Sequence, residues 1–160
     1  MEKVRDFSED EFGHFLTNEL SQLTDVTLVL LKGHLFTEFA INCYLESLSQ
    51  TKKSNFFKEN FTYATKLKML VHFGNFENEG TLILEATRII NKLRNGIAHS
   101  LNVNEQLIQE FFANLDKALP PNNGNFRNEK LDIPLRLTSG IAIICGIIFG
   151  RYLEIRDGKN

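Results

Sequence analysis

Between Asp25 and Ser49 the chain reads Val26-Thr27-Leu28-Val29-Leu30-Leu31-Lys32-Gly33-His34-Leu35-Phe36-Thr37-Glu38-Phe39-Ala40-Ile41-Asn42-Cys43-Tyr44-Leu45-Glu46-Ser47-Leu48, and this stretch decides the fold. Its apolar residues fall nearly all the way round a helix. A helix that is apolar on every side must be surrounded by other elements, so this one is central in a bundle. Thr24 or Asp25 supplies the side-chain oxygen that caps its first turn.

The flanks supply the surrounding helices. Upstream, Ser8-Glu9-Asp10-Glu11 is a capping box that opens a short helix to about Leu20. Downstream, residues 49–60 are polar and Lys-rich, with Phe56-Phe57 as an anchor. A third helix is expected over Phe61 to Phe73, stopped by Gly74-Asn75. A fourth runs from Thr81 to Ser100, with Leu82, Ile83, Ala86, Ile89, Ile90, Leu93 and Ile97 at the spacing of one buried face. Asn102 or Asn104 caps a fifth, which Pro120-Pro121 ends. Residues 122–131 form a loop, and Pro134 opens a last helix to about Arg156. No alternating β-branched run argues for a sheet. The expectation is one all-α domain over residues 1–160, an up-and-down bundle of five to six helices with Leu30, Phe39, Ile90, Leu93 and Ile97 in its core.

A chain of 160 residues sustains such a core without disulfides or metals. Cys43 and Cys145 lie in apolar helical surroundings and read as buried, reduced thiols of a cytoplasmic protein. Met1 to Asp6 holds no apolar core and does not read as a signal peptide. The uncharged run Leu137 to Gly150, bracketed by Arg136 and Arg151, is shorter than the about 20 residues that span a bilayer. It reads as a buried helix, so no membrane is expected. Ala142, Gly146 and Gly150 share one face there, which suggests close approach of another helix, first of all within the same chain.

Charge is unevenly placed. Residues 51–101 carry eight Lys or Arg against four acids, a local +4 in a chain whose net charge is -2. An anionic ligand or merely solvated helix faces fit that pattern equally. On the fourth helix Arg94, Asn95 and His99 share a polar face, and Gly96 and Ala98 add little bulk beside them. A guanidinium for phosphate oxygens and an imidazole for proton transfer suit phosphodiester cleavage, although a solvated face has the same periodicity.

Arg94-Asn95-Gly96-Ile97-Ala98-His99, preceded by Ile89-Ile90-Asn91-Lys92-Leu93, resembles the Arg-polar-x-x-x-His signature of the HEPN superfamily. Leu31-Lys32-Gly33-His34-Leu35-Phe36-Thr37-Glu38 is similar to the long second helix of bacterial HEPN-like proteins. The mannitol-operon repressor group is a looser relative, and the resemblance covers about residues 24–101. It implies a helical, commonly dimeric bundle. Many members are metal-independent endoribonucleases of toxin–antitoxin, CRISPR or anti-phage systems. Others have lost catalysis and serve as regulatory modules. Carried over, Arg94 would bind the scissile phosphate, His99 would transfer protons and Asn95 would accompany them. RNA would be the substrate, and an antitoxin protein a partner. Arg88, Lys92, Lys66 and Lys68 are then the cations expected to hold the RNA.

His34 and Glu38 are four apart and share a face of the central helix. With Thr27 and Asn42 they form a polar stripe in apolar surroundings. A carboxylate there needs a cation, and Arg94 is the expected partner of Glu38. Either Glu38 orients a catalytic Arg94, or the group is a structural polar network. A metal at His34 and Glu38 would lack further ligands at helical spacing, so no metal or cofactor is expected. A phosphate-cradling glycine loop, a Cys-x-x-Cys and a nucleophile elbow are all missing from the sequence. Two function classes stand: a metal-independent ribonuclease, or a non-catalytic helical dimer that regulates through protein contacts.

Overall fold

A computed structural model describes residues 2–49, 60–100, 102–122 and 124–158. Six α-helices and no strand occur among them: α1 (Glu9–Ser21), α2 (Val26–Ser47), α3 (Tyr63–Phe73), α4 (Glu79–Ser100), α5 (Glu105–Ala118) and α6 (Ile133–Arg156). The chain is an all-α helical bundle. The proposed anchor Phe56-Phe57 lies outside the described residues.

Local side-chain oxygens start most of these helices. Ser8 accepts from the Glu11 amide while Glu11 accepts from the Ser8 amide, closing the capping box. Asp25, Thr62, Asn104 and Asp132 each accept the amide three residues on, opening α2, α3, α5 and α6. Thr62 therefore begins α3 two residues later than periodicity suggests. In contrast α4 begins two residues early, because Asn78 takes a left-handed φ of 49° and turns the chain into the helix before Gly80.

The central helix is α2. It meets α6, α4, α3 and α1, and most of its residues are buried. Leu30, Phe39, Ile90, Leu93 and Ile97 are all buried in one core. Tyr63 at the start of α3 reaches Thr37, and Gly74 just beyond its end accepts from the Tyr44 hydroxyl, so α3 runs parallel to α2. Phe76, just ahead of α4, packs on Tyr44, whereas Asn91 meets His34, so α4 runs antiparallel to α2.

The loop over residues 122–131 is pinned down. A 3-10 turn at Asn125–Arg127 buries Phe126, and Arg127 donates to the carbonyls of Leu119 and Pro120 at 2.8 and 2.7 Å. Arg136 of α6 donates to the Phe126 carbonyl at 2.8 Å.

As its sequence leads one to expect, α6, capped by Asp132, opens with Pro134 in its first turn and runs to Arg156, so the uncharged run is the middle of a 24-residue helix. By length and composition alone, α6 and α2 are both long and apolar enough to cross a membrane, and half of the most apolar stretch of α6 is buried in the bundle. The close approach of another helix of the same chain expected at Gly146 and Gly150 needs correction, since a Cβ at either would meet nothing within 4 Å among the described residues. The tight approaches are elsewhere. A Cβ on Gly33 would lie 2.6 Å from Ile141 Cδ1, and one on Gly140 2.7 Å from Leu115 Cδ1, so these two glycines bring α6 against α2 and α5.

Candidate functional site

The C-terminal half of α4 turns Leu93 and Ile97 into the core, which leaves Arg94, Ala98 and His99 exposed. Asn95 and Gly96 are half-buried between them. Arg94 donates to Asn95 Oδ1 at 3.2 Å, which sets the guanidinium beside the amide at an exposed position. His99 has no hydrogen-bond partner among the described residues, and its imidazole stands at an open surface. A Cβ placed on Gly96 would approach only the Asn102 carbonyl, at 4.0 Å, so the backbone beside the motif is unobstructed.

One turn before Arg94 a polar cluster joins three helices. The Nε2 of His34 lies 3.2 Å from Asn91 Oδ1, an acceptor, which places the proton on that nitrogen. The imidazole stacks on Tyr63 with centroids 4.3 Å apart, and the Tyr63 and Thr37 hydroxyls are 2.9 Å apart. Burial pushes the His34 pKa down. Nearby Arg94 and Lys66 lower it further, while the Asn91 bond and the Glu38 charge pull the other way. His34 is therefore held neutral in the fold. The same burial raises the Tyr63 hydroxyl.

Glu38 does not hold Arg94. Its carboxylate accepts from Lys66 Nζ at 2.6 Å, and Lys66 is only 5% exposed. The directions of the helices explain this. Because α3 runs parallel to α2, Lys66 comes level with Glu38. Antiparallel α4 carries Arg94 past His34 toward the start of α2, about 10 Å along the axis from Glu38. The His34–Glu38 group is thus a structural network reaching Arg94 only through space and through Asn91. The same geometry removes Lys66 from the cations expected to hold RNA.

Of the others, Lys68, Arg88 and Lys92 are exposed. Arg88 is paired with Glu85, and Lys92 lies 3.9 Å from the same carboxylate, so one acid partly neutralises both. Among the described residues no three His, Cys, Asp or Glu side chains cluster as a metal site. Both cysteines are buried, and burial pushes the Cys43 thiol up to about 12, so neither is a nucleophile near neutral pH.

Sequence reasoning gave Asn91 no role and overlooked Tyr63. Asn91 lies four residues before Asn95, a spacing that marks it as part of the same face. Tyr63 left no signal, since only the parallel course of α3 brings it to His34. Compared with models of protein families, with characterised proteins and with solved structures, the chain matches none.

Proposed function

We propose that this protein is a metal-independent endoribonuclease of the HEPN type, working in the cytoplasm as a homodimer. The observation that carries the reading is the open grouping of Arg94, Asn95 and His99 at the end of α4, with the imidazole unengaged. RNA brings its own nucleophile, the ribose 2′-OH. One imidazole removes that proton, another protonates the 5′ oxygen as the P–O bond breaks, and guanidinium groups stabilise the charge on phosphorus. The products are a 2′,3′-cyclic phosphate and a 5′-OH. One chain offers one such histidine, so the site is completed by the His99 of a second copy across a two-fold axis.

The surface next to the motif favours that partner. Leu28 and Leu35 of α2 are 52% and 57% exposed, and the antiparallel register set at His34 and Asn91 brings them level with the C-terminal half of α4. Large leucines at that exposure suit a covered face better than an open one. The test compares wild type and His99→Ala on single-stranded RNA, with and without chelator. Cleavage by wild type alone, unaffected by chelator and leaving a cyclic phosphate, is expected; equal cleavage by both proteins would sink the assignment.

A second reading has its own support. Glu85 offsets Arg88 and Lys92, and Lys66 is withdrawn into the bundle, which leaves a modest field for a polyanion. A non-catalytic dimer that regulates through a protein partner, an antitoxin among them, fits that weaker charge. A correct dimer that cleaves no RNA would select it.

A further inference from the structure

Two asparagines flank Arg94 on α4, and each has its oxygen occupied from inside the protein. Asn91 Oδ1 accepts from His34 Nε2 at 3.2 Å, and Asn95 Oδ1 accepts from Arg94 at 3.2 Å. An amide with its acceptor engaged has its Nδ2 hydrogens left to offer. Neither Nδ2 meets an acceptor among the described residues. Among those residues, the buried side-chain polar atoms left without a partner are Asn42 Oδ1 and Thr138 Oγ1. Both Nδ2 groups therefore keep contact with solvent.

Residues three and four apart on a helix are neighbours, with about 5–6 Å between Cβ atoms, which sets Asn91 beside both Arg94 and Asn95. Arg94 donates one bond, to Asn95, and keeps its other guanidinium hydrogens. The three side chains thus present donors alone. Carboxylates stay out of the group: Glu38 is held by Lys66, and Glu85, held by Arg88, lies six residues before Asn91. Ala98, one turn beyond Arg94, is exposed and ends at a methyl group, which leaves room above them.

The Asn91 amide is also held in one sense. His34 is buried, stacked on Tyr63, and carries its proton on the nitrogen that faces Asn91. Turning the amide over would set two N–H groups against each other. The imidazole keeps the donor end of Asn91 outward.

We propose that Asn91, Arg94 and Asn95 form a cradle of donors for one phosphate of a single-stranded RNA backbone, with His34 as the residue that positions Asn91. An oxyanion accepts and does not donate, so it fits a site that only donates, and its charge answers the guanidinium. A neutral carbonyl ligand would leave that charge unmatched. The identity of the anion rests on the ribonuclease reading; the arrangement of donors does not. The cradle ends one turn before His99, which brings the held phosphate to the imidazole.

The test is fluorescence anisotropy of the full chain with a labelled single strand of 2′-O-methyl RNA, which has backbone phosphates but no 2′-OH to attack them. Asn91→Asp keeps an oxygen for His34 and replaces the donor, whereas Asn91→Leu removes both without adding charge. Each is expected to bind at least roughly tenfold more weakly than wild type, the scale of one hydrogen bond to a charged group. Arg94→Ala should also lose affinity. Combined with Asn91→Leu it should lose less than the product of the two single losses, because both groups hold one phosphate. His34→Gln, whose amide N–H stands where Nε2–H stood, is expected to retain the affinity that His34→Leu loses. Melting curves of the same samples separate lost binding from lost folding. Folded Asn91 variants that bind like wild type, losses that multiply in the double variant, or a wild type that does not bind the strand would overturn the cradle. Unmodified RNA reads the ribonuclease proposal separately, through wild type and His99→Ala. Cleavage indifferent to Asn91 sinks the cradle alone, and binding that depends on Asn91 without cleavage sinks the nuclease alone.

Discussion

His34 Nε2 and Asn91 Oδ1 stand 3.2 Å apart across α2 and α4, and this contact sets the register of the motif helix against the centre of the bundle. It connects a buried, neutral imidazole to the residue one turn before Arg94. The contact therefore belongs to the fold first, and to any chemistry at Arg94 only through the position it gives α4 and the sense in which it turns the Asn91 amide.

Acid should weaken the fold through His34. Its pKa in the native protein is below the usual 6.5, so the unfolded chain binds the proton more readily. The stabilisation is fully present above pH 6.5 and is lost as the pH falls through the lowered native value. Thermal melts from pH 7.5 to 5 should show a falling midpoint. His34→Gln should flatten that part of the slope while lowering stability at pH 7.5. An unchanged slope in the variant would assign the acid sensitivity to other groups.

The Lys66–Glu38 pair makes a contrasting claim. Lys66 is buried, so removing its carboxylate leaves a charge uncompensated in the bundle. Glu38→Ala should cost about 3 kcal/mol, at the low end of the range for broken buried pairs because Glu38 keeps some contact with water. The double variant Glu38→Leu with Lys66→Met should recover much of it. Arg94→Ala, at an exposed position, should stay within about 0.5 kcal/mol of wild type. Urea titrations of the four proteins check the order, and a large loss in Arg94→Ala would point to the Glu38–Arg94 pairing that the structure replaces.

Those two networks mark what a sequence reveals and what it hides. The caps at Ser8, Asp25, Asn104 and Asp132 act within three residues, so their helices begin where the local pattern puts them. The polar face of Arg94, Asn95 and His99 is equally local, since helical periodicity alone places it. The partner of Glu38 is not local. It depends on whether α3 runs with α2 or against it, and the connection before Thr62 carries no periodic signal that sets this direction. The glycines of α6 have the same lesson. Gly140 and Gly146 have the same chemistry, and only the placement of Leu115 and Phe111 makes one of them a packing glycine.

Self-association at the motif should be sensitive to the exposed leucines. Leu35 is more than half exposed in the single chain, so an aspartate there costs the monomer little. Within a dimer face that covers it, the same charge is desolvated without a partner and should dissociate the pair. Leu35→Asp is expected to lower the mass seen by light scattering at tens of micromolar and to abolish RNA cleavage while keeping the helical circular dichroism. An active Leu35→Asp protein of unchanged mass would place the partner elsewhere.

A last prediction concerns the division of labour between two copies of His99. If one imidazole serves as base and its two-fold mate as acid, a dimer with one His99→Ala chain has no complete site. Wild-type and His99→Ala chains, unfolded together and refolded in equal amounts, form mixed dimers statistically. Activity should then fall to about a quarter of that of the same total amount of wild type, because only wild-type pairs retain both imidazoles. Two sites that each use a single histidine would instead retain about half, in proportion to the chains present. Arg94→Ala chains in the same experiment distinguish positioning from proton transfer. A guanidinium that only binds phosphate is partly replaced by its mate, so the mixture should retain more than the quarter left with His99→Ala. The pH dependence adds an independent check. A site with one basic and one acidic imidazole gives a bell-shaped rate profile, since each must hold the opposite protonation state. A rate that rises and then stays level with pH would reduce the roles of His99 to one, and with it the need for a second copy in the chemistry.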